Sequence, residues 1–301
     1  MTQKKDGTST MANFESRPLA AGLHFVATPI GAARDITLRA LDVLAAADVI
    51  AAEDTRTMRK LLDIHAVPVG DRPLIAYHDH NGARVRPRLL ALMAEGKSLA
   101  YASEAGTPLV ADPGYALARA AIDAGIMVTS VPGPSAMIAA LTVAGLPTDR
   151  FFFAGFAPPA RGARQSFLEK LSEIPATLVF YESPKRVAAF LGAAASVFGD
   201  TRNAAVCREL TKKFEEITRA PLGELSANFA ERAVKGEIVV LIERAHAVTT
   251  ADATIDAALT AALLNMSVKD AAATVAEALG LPRRKIYQAA LALGNSRDEK
   301  T

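Results

Sequence analysis

The first half of the chain alternates short apolar runs with longer segments whose apolar residues recur at helical spacing. β-branched or aromatic residues mark most of the short runs, which indicates buried strands. We predict strands at residues 23–28, 48–53, 74–78, 98–103 and 126–131. Helical spacing is clearest in LRALDVLAAA (38–47) and LLALMAEG (89–96). This alternation predicts a mainly parallel sheet with helices on both faces.

The chain turns at LPTDR (146–150), and a second set of apolar runs follows. Strands are predicted at residues 150–156, 177–183, 203–210, 214–220 and 236–244. The last three lie close in sequence, which predicts antiparallel pairing in a mixed sheet. The phenylalanines at 151–153 lie in the first of these strands, and we expect them in the core rather than stacked on a base.

Strand signals end near Thr254, and three short alanine-rich helices are predicted from there to about Leu293. We therefore divide the chain into four parts. They are a disordered tail (1–20), an N-terminal α/β domain (21–147), a second α/β domain (148–247) and a helical module (250–295).

The composition is that of a globular protein. The 301 residues are 50% hydrophobic, which is enough for two domains with separate cores. No apolar run is long enough to span a bilayer, and the polar start of the chain lacks the apolar centre of a signal peptide. The single cysteine, Cys207, excludes an internal disulfide framework and is expected in the core. These features predict a cytoplasmic protein.

The charge is nearly balanced overall but clustered locally. The net charge is +2, so the chain is not a polycation. Basic residues gather around Arg84, at Lys212 and Lys213, and from Arg283 to Lys285. One such cluster is typical of a solvated surface, whereas several on one side of a cleft would indicate a polyanionic partner.

Unusual loops follow all five strands of the first domain. Open parallel sheets bind ligands beyond the carboxyl ends of their strands, so these loops meet where a ligand is expected. Each loop alone suits an ordinary turn, but five together predict a binding site. The loops are TPIG (28–31), EDTR (53–56), HDHN (78–81), SEAGTPLVADPG (103–114) and PGPS (132–135).

The common ligand signatures are absent from the sequence. It contains no GxGxxG, GxxxxGK[ST] or GxSxG motif. The histidines and Cys207 lack zinc-site spacing, and His78 and His80 would point to opposite faces of an extended segment, so no metal site is predicted. We therefore expect neither a dinucleotide held by its pyrophosphate nor a catalytic metal.

Together these motifs resemble the tetrapyrrole methylase superfamily and, closely within it, the ribosomal RNA small-subunit methyltransferase I family. Matching stretches run in order and at family spacing from about Leu23 to Glu243, and include EDTR, YHDHN, SEAGTP, DPG, VPGPSA, FYESPKR and RELTKKFEE. The resemblance implies two α/β domains with a cofactor cleft between them, and S-adenosylmethionine as the cofactor. It implies 2′-O-methylation of a cytidine, position 1402 in the family, in the decoding region of 16S ribosomal RNA. It also implies 16S ribosomal RNA or the small ribosomal subunit as partner, and a homodimer.

The resemblance assigns cofactor binding to residues in the strand-end loops. Glycines there would let backbone groups approach the cofactor, and prolines would hold the loops in shape before it binds. The assigned residues are Pro29, Gly31, Gly106, Thr107, Val110, Ser135, Ala136 and Tyr181. The chain departs from the family at Glu104, where SDAGTP is usual, and at Ala32, where asparagine is common. Thr107 stands where small-molecule methylases commonly carry aspartate.

A ribose hydroxyl is a weak acid, so a base or a strong hydrogen-bond acceptor should assist its methylation. The candidate catalytic residues are Glu53, Glu104 and Asp54, with Glu182 as a further candidate; Asp54 equally suits a helix cap. RNA contacts are predicted for Arg56, Arg84, Arg186, Arg208, Lys212, Arg283, Arg284 and Lys285. Pairing with a carboxylate is the alternative for Arg56, Arg186 and Arg208.

Three functions remain open at this point. They are a ribosomal RNA 2′-O-methyltransferase, a small-molecule methyltransferase acting on a tetrapyrrole, and a non-catalytic RNA-binding or ribosome-assembly protein. The AGTP loop and the basic module disfavour the second function, and the intact loops disfavour the third. The last two helices resemble a helix-turn-helix unit that would grip RNA backbone, the alternative being a helical cap on the second domain.

Overall fold

A computed structural model describes residues 14–111, 114–245 and 250–298 of the chain. The chain divides into two compact units, one ending at Arg244 and one beginning at Ala245. The predicted tail at residues 1–13 and the DP of the DPG motif at 112–113 lie outside the described residues.

The first sheet is parallel throughout, with helices on both faces, as predicted. Its strands are β1 (Gly22–Val26), β2 (Val49–Ala52), β3 (Leu74–Ala76), β4 (Ser98–Ala102) and β5 (Val128–Val131), in the spatial order β3-β2-β4-β1-β5. The helices on one face are α1 (Leu38–Ala46) and α2 (Thr55–Ile64), and those on the other are α3 (Gly82–Ala94) and α4 (Tyr115–Asp123).

The connections that leave β1 and β4 run in opposite directions across this sheet. β1 leads through α1 towards β2, whereas β4 leads through α4 towards β5. The two connections lie on opposite faces of the sheet, and adjacent parallel strands connected in this way open a crevice at their carboxyl ends. The fold therefore places a binding crevice at the ends of β1 and β4.

The second sheet is mixed, as predicted. Its strands are β6 (Phe151–Phe156), β7 (Thr177–Glu182), β8 (Asn203–Arg208), β9 (Glu216–Pro221) and β10 (Ile238–Ile242). Their order is β6-β7-β10-β8-β9, and only the β6–β7 pair among the described strands of this sheet is parallel.

Alternating side chains give the second sheet two apolar faces. On β10, Val239 and Leu241 pack towards α5 (Ala136–Ala144), whereas Val240 and Ile242 pack on the opposite side. That opposite side is covered by α6 (Arg161–Glu169), α7 (Val187–Phe198) and α8 (Leu222–Ala230). Because α5 follows β5 and packs on the second sheet, it joins the two sheets into one unit.

Two expectations need correction. Phe151 and Phe152 are 42% and 41% exposed, because β6 is an edge strand, and only Phe153 packs into the cluster beneath α5. Residues 14–20 lack regular structure, but Phe14 and Leu19 pack against the core beneath α1 and so do not form a free tail. Helix α3 contains most of the predicted helical segment 89–96 and begins earlier, at Gly82, with Pro87 inside it.

The second unit consists of α9 (Thr250–Ala262), α10 (Val268–Leu279) and α11 (Arg283–Asp298), as predicted. These helices enclose their own core, which includes Ile255, Leu259, Val275 and Ile286. Ser267 caps α10, and Gly280 ends it in a left-handed conformation. In the part of the chain that the structure describes, no helix is long and apolar enough to cross a membrane.

Candidate functional site

A short antiparallel bridge joins the loops that follow β1 and β4. The amide of Thr28 donates to the carbonyl of Gly106 at 2.9 Å, and the amide of Gly106 donates back at 3.0 Å. The Ser103 hydroxyl also donates to the Gly106 carbonyl, at 2.6 Å. Gly106 has a φ of +84°, a conformation that side chains disfavour. Gly106 therefore holds the loop together, and its backbone groups are not left open for a ligand as the sequence suggested.

A cavity of about 300 Å³ lies between the two sheets, beside this bridge. Strand β10 runs antiparallel to both β7 and β8, so its start lies beside their ends and the three form one wall. The opposite wall comes from the loops of the first sheet and the start of α5. The cavity is lined by Ile30, Ala105, Gly106, Thr107, Val110, Ser135, Ala136, Phe156, Tyr181, Glu182, Ser183, Pro184, Cys207, Leu210, Gly236, Glu237, Ile238 and Val239.

The structure brings together most of the residues predicted to bind a cofactor. Those that line the cavity are Gly106, Thr107, Val110, Ser135, Ala136 and Tyr181. Pro29 and Gly31 are not among its lining residues. A Cβ added to Gly31 would lie 2.6 Å from both Lys212 Cγ and Thr211 Oγ1. The atoms that lie close to the Gly31 backbone therefore belong to residues 210–212 of the protein itself.

Sequence reasoning found Tyr181 and Glu182 of the second sheet but missed the other residues that this sheet contributes. Cys207 and Leu210 line the cavity, and so do residues 236–239 at the start of β10. Residues 236–239 could not be predicted from the carboxyl ends of parallel strands, because β10 is antiparallel to its neighbour and brings its amino end to this edge. Cys207 is fully buried, as predicted, and burial raises the pKa of its thiol to about 11.

The start of α5 offers unbonded amides to the cavity. Ser135 is the N-cap, and its side chain makes no capping hydrogen bond. The first amides of a helix have no partner within the helix and carry partial positive charge, which suits an anionic group. Thr107 steadies the neighbouring loop by donating its hydroxyl to the carbonyl of Pro134 at 2.9 Å.

Glu182 is a buried carboxylate in the cavity wall. Its Oε1 lies 3.2 Å from Arg186 Nε and accepts the Ser183 amide at 2.8 Å. Burial raises the pKa of Glu182, against the opposing effects of that amide and of Arg186. Arg186 also donates to the carbonyl of Ala157. Its guanidinium is thus held inside the fold by a carboxylate and a carbonyl.

Two of the predicted catalytic carboxylates lie at the same edge of the first sheet. Ala52 pairs with Ala102, so Glu53 and Glu104 follow neighbouring strand ends. Burial raises the pKa of Glu104, and the negative charges of Glu53, Asp54 and Glu237 raise it further. A carboxylate with a raised pKa is a stronger base than an ordinary one.

Asp54 is the N-cap of α2. Its Oδ1 accepts the Arg56 amide at 2.7 Å, and its Oδ2 lies 2.9 Å from Arg56 Nη2. The hydrogen bonds from Arg56 lower the pKa of Asp54 to about 2. Asp54 therefore acts as a cap and is a much weaker base than Glu104.

The loop formed by residues 209–215 connects the two walls of the cavity. Lys212 Nζ lies 2.8 Å from Glu209 Oε1 and 2.8 Å from Glu237 Oε2. Thr211 Oγ1 accepts the amide of Ala32, in the first half of the unit, at 3.0 Å. Glu209 and Thr211 have φ values of +52° and +64°, which are unfavourable for residues other than glycine. The contacts of Lys212 and Thr211 thus hold this loop in a strained conformation.

The residues predicted to bind RNA fall into two groups. Arg186, Arg208 and Lys212 form ion pairs with carboxylates of the same unit, Arg208 pairing with Glu216 at 2.9 Å. Arg56 pairs with Asp54, although 91% of its side chain is exposed. The side chains that lie exposed on helices are Arg84, Arg283, Arg284 and Lys285.

His78 and His80 do not point to opposite faces as expected. The segment after β3 is a turn rather than an extension of the strand, and the two ring centroids lie 6.0 Å apart. Within the described residues, no group of three or more histidine, cysteine, aspartate or glutamate side chains could hold a metal ion.

Comparisons with known proteins agree on one family. Residues 22–226 match the model of the Tetrapyrrole (Corrin/Porphyrin) Methylases, and residues 249–294 match that of the RsmI C-terminal HTH domain. The second match confirms the predicted helix-turn-helix unit.

Similar curated proteins carry the name Ribosomal RNA small subunit methyltransferase I. The protein of that name from Mesorhizobium japonicum is 47% identical, covering 94% of this chain and 96% of the relative. The one from Escherichia coli O157:H7 is 44% identical, covering 89% of this chain and 94% of the relative.

Solved structures of lower identity share the fold. The methyltransferase CobJ is 20% identical with a TM-score of 0.59, covering 75% of this chain and 95% of that one. Uroporphyrin-III-C-methyltransferase from Thermus thermophilus is 22% identical with a TM-score of 0.54, covering 73% of this chain and 94% of that one. These structures confirm the predicted fold class of the α/β part.

We predict that Lys212→Met lowers the free energy of unfolding by about 1–3 kcal/mol, because the carboxylates of Glu209 and Glu237 lose the cation between them. Urea denaturation at neutral pH measures the change. Lys213→Met is the matched control, since Lys213 is exposed and forms no ion pair among the described residues. Equal stability of the two variants would contradict a structural role for Lys212.

Proposed function

The chain belongs to the Tetrapyrrole (Corrin/Porphyrin) Methylases and, within them, to the ribosomal RNA small subunit methyltransferases I, and from this premise we propose its specific reaction. It transfers a methyl group from S-adenosylmethionine to the ribose 2′-hydroxyl of a cytidine in the decoding region of 16S ribosomal RNA. The family resemblance implies position 1402. The observation that carries the proposal is that the identity with these relatives extends over most of the chain.

The chemistry of the cavity fits S-adenosylmethionine, which combines a sulfonium cation, a carboxylate and an adenosine. Val110, Ala136 and Ile238 offer apolar surface for the adenosine. The unbonded amides at the start of α5 suit the carboxylate, and the acidic side chains around the cavity favour the cation. When bound, this cofactor supplies a methyl group activated by a positively charged sulfur.

The protein's main task in such a reaction is alignment. Displacement at a sulfonium releases a neutral group, so positioning the two reactants contributes much of the rate. The Thr28–Gly106 bridge, the Thr107–Pro134 hydrogen bond and the ion pairs of Lys212 hold the cavity walls in place before reactants bind. Because the walls are already fixed, less conformational entropy is lost when the reactants bind.

We assign Glu104 as the group that accepts the proton of the ribose hydroxyl. It immediately precedes Ala105 and Gly106, which line the cavity, and its pKa is raised by burial and by neighbouring carboxylates. Glu53, on the adjacent strand end, contributes to that raised pKa. Asp54 is unsuited to the role because its carboxylate caps α2 and bonds to Arg56.

Two matched variants distinguish the carboxylates. Glu104→Gln should lower turnover roughly a hundredfold or more and leave cofactor affinity unchanged. Glu53→Gln should keep turnover at neutral pH. Because it removes a charge that raises the pKa of Glu104, it should move the acidic limb of the kcat/KM profile to lower pH. Methyl-transfer rates across the pH range, with calorimetry for the cofactor, measure both effects. Loss of turnover in Glu53→Gln alone would transfer the role to Glu53.

We propose that the helical unit contributes RNA backbone contacts. Arg283, Arg284 and Lys285 are exposed in the first turn of α11, where the helix amides also favour an anion. Contacts of this kind add affinity without reading sequence and depend strongly on salt.

Deleting residues 250–301 should leave cofactor affinity unchanged and weaken RNA binding. The salt dependence of RNA binding should flatten by up to about one unit of slope for each lost phosphate contact. Filter binding of 16S ribosomal RNA at several salt concentrations measures the slope. An unchanged slope in the truncated protein would mean that the unit serves only as a cap.

The activity itself is tested by incubating the protein with labelled S-adenosylmethionine and three acceptors: small ribosomal subunits, free 16S ribosomal RNA and a porphyrinoid. We expect label on the ribose 2′-oxygen of one cytidine in one of the RNA substrates. Label on the porphyrinoid alone would contradict the proposal. The homodimer implied by the resemblance stays a prediction, and a ribosomal substrate would place the reaction in the cytoplasm.

A further inference from the structure

Phe214 is a large apolar side chain that the fold leaves in solvent, on a loop that reaches the cavity wall. Its side chain is 63% exposed, and Lys213 Nζ lies 5.5 Å from the centre of its ring. It belongs to the 209–215 loop, whose Leu210 lines the cavity. Lys212, two residues before Phe214, contacts Glu237, which lines the cavity. The backbone of Phe214 therefore lies within about 7 Å of the backbone of Lys212.

The loop that carries Phe214 is held at several points. Lys212 bonds to two carboxylates, and Thr211 binds the amide of Ala32. The Thr211 amide donates to the Glu215 carboxylate at 2.6 Å, which ties together the residues on either side of Phe214. An aromatic ring presented by such a loop binds a partner with little loss of conformational entropy.

Exposed lysines follow or precede lining residues of the same wall. Lys185 follows Pro184, Lys235 precedes Gly236, and Lys213 adjoins Phe214. Across the described residues, none of these three lysines forms an ion pair, in contrast to Arg186, Arg208 and Lys212. Their charges are therefore available to a polyanion.

Resting on the proposed function, we propose that Phe214 stacks on an unpaired base of the RNA substrate beside the nucleotide that is methylated. Lys185, Lys213 and Lys235 contact the flanking phosphates. Unpaired RNA is recognised through bases stacked on aromatic side chains, with cations along the backbone. Phe214 and Lys213 present both groups together.

Three substitutions separate stacking from an ordinary apolar contact. Phe214→Ala and Phe214→Leu should each weaken binding of a fluorescent oligocytidylate and raise KM for small subunits roughly 5- to 100-fold. Phe214→Trp, which keeps an aromatic face, should bind as tightly as the unaltered protein. Calorimetry with S-adenosylmethionine should give the same affinity for all of them. Phe151→Ala is the control, because it removes an exposed ring at the far end of β6.

The lysines are tested through salt dependence. Changing Lys185, Lys213 or Lys235 to glutamine should each lower the salt slope of oligocytidylate binding by about 0.7. Lys170→Gln is the control, since Lys170 is exposed at the end of α6, before the opposite end of β7.

Two results would overturn the proposal. One is unchanged RNA affinity in Phe214→Ala. The other is a combination of two measurements: full RNA affinity in Phe214→Leu and an altered sedimentation coefficient in Phe214→Ala. That combination would mean that Phe214 forms a contact between protein copies. The binding measurements do not depend on turnover. Absence of methyl transfer by the unaltered protein would therefore count against the proposed function and leave the test of Phe214 intact.

Discussion

The two backbone hydrogen bonds between Thr28 and Gly106 are the constraint on which the site depends. They join the loops of β1 and β4, whose connections lie on opposite faces of the first sheet. A crevice at such a point would otherwise be bordered by two independent loops. With the bridge in place, Ile30 and residues 105–107 form one continuous wall, and Ser103 and Thr107 tie that wall to β4 and to the loop before α5.

The opposite wall is fixed mainly by charge. Lys212 forms ion pairs with both Glu209 and Glu237, and Thr211 fastens the same loop to Ala32 across the cavity. Basic residues in this part of the chain therefore divide by role. Those whose charge is used inside the fold shape the cavity, and those left exposed are available to a nucleic acid. Lys212 and Lys213, neighbours in sequence, fall on different sides of this division.

Much of the fold could be predicted because hydrophobic spacing reports directly on strands, helices and parallel pairing. The loop motifs likewise located one wall of the cavity. Residues 236–239 of the second wall were hidden, because no local pattern indicates that β10 inserts antiparallel between β7 and β8 and carries Gly236 and Glu237 to the site. The local sequence pattern also does not show which basic residues form ion pairs. In the sequence, Lys212 looks like part of a basic surface cluster. Only its tertiary contacts with Glu209 and Glu237 show that its charge is used inside the fold.

The position of β10 also determines the order in which the site is assembled. It is the last strand of the second sheet to leave the ribosome during synthesis, yet it occupies the centre of that sheet. Until it is in place, β7 and β8 lack a hydrogen-bonding partner between them, and the cavity lacks residues 236–239. A growing chain therefore cannot possess a complete cavity before β10 emerges, and pairings over such sequence separations form late in folding.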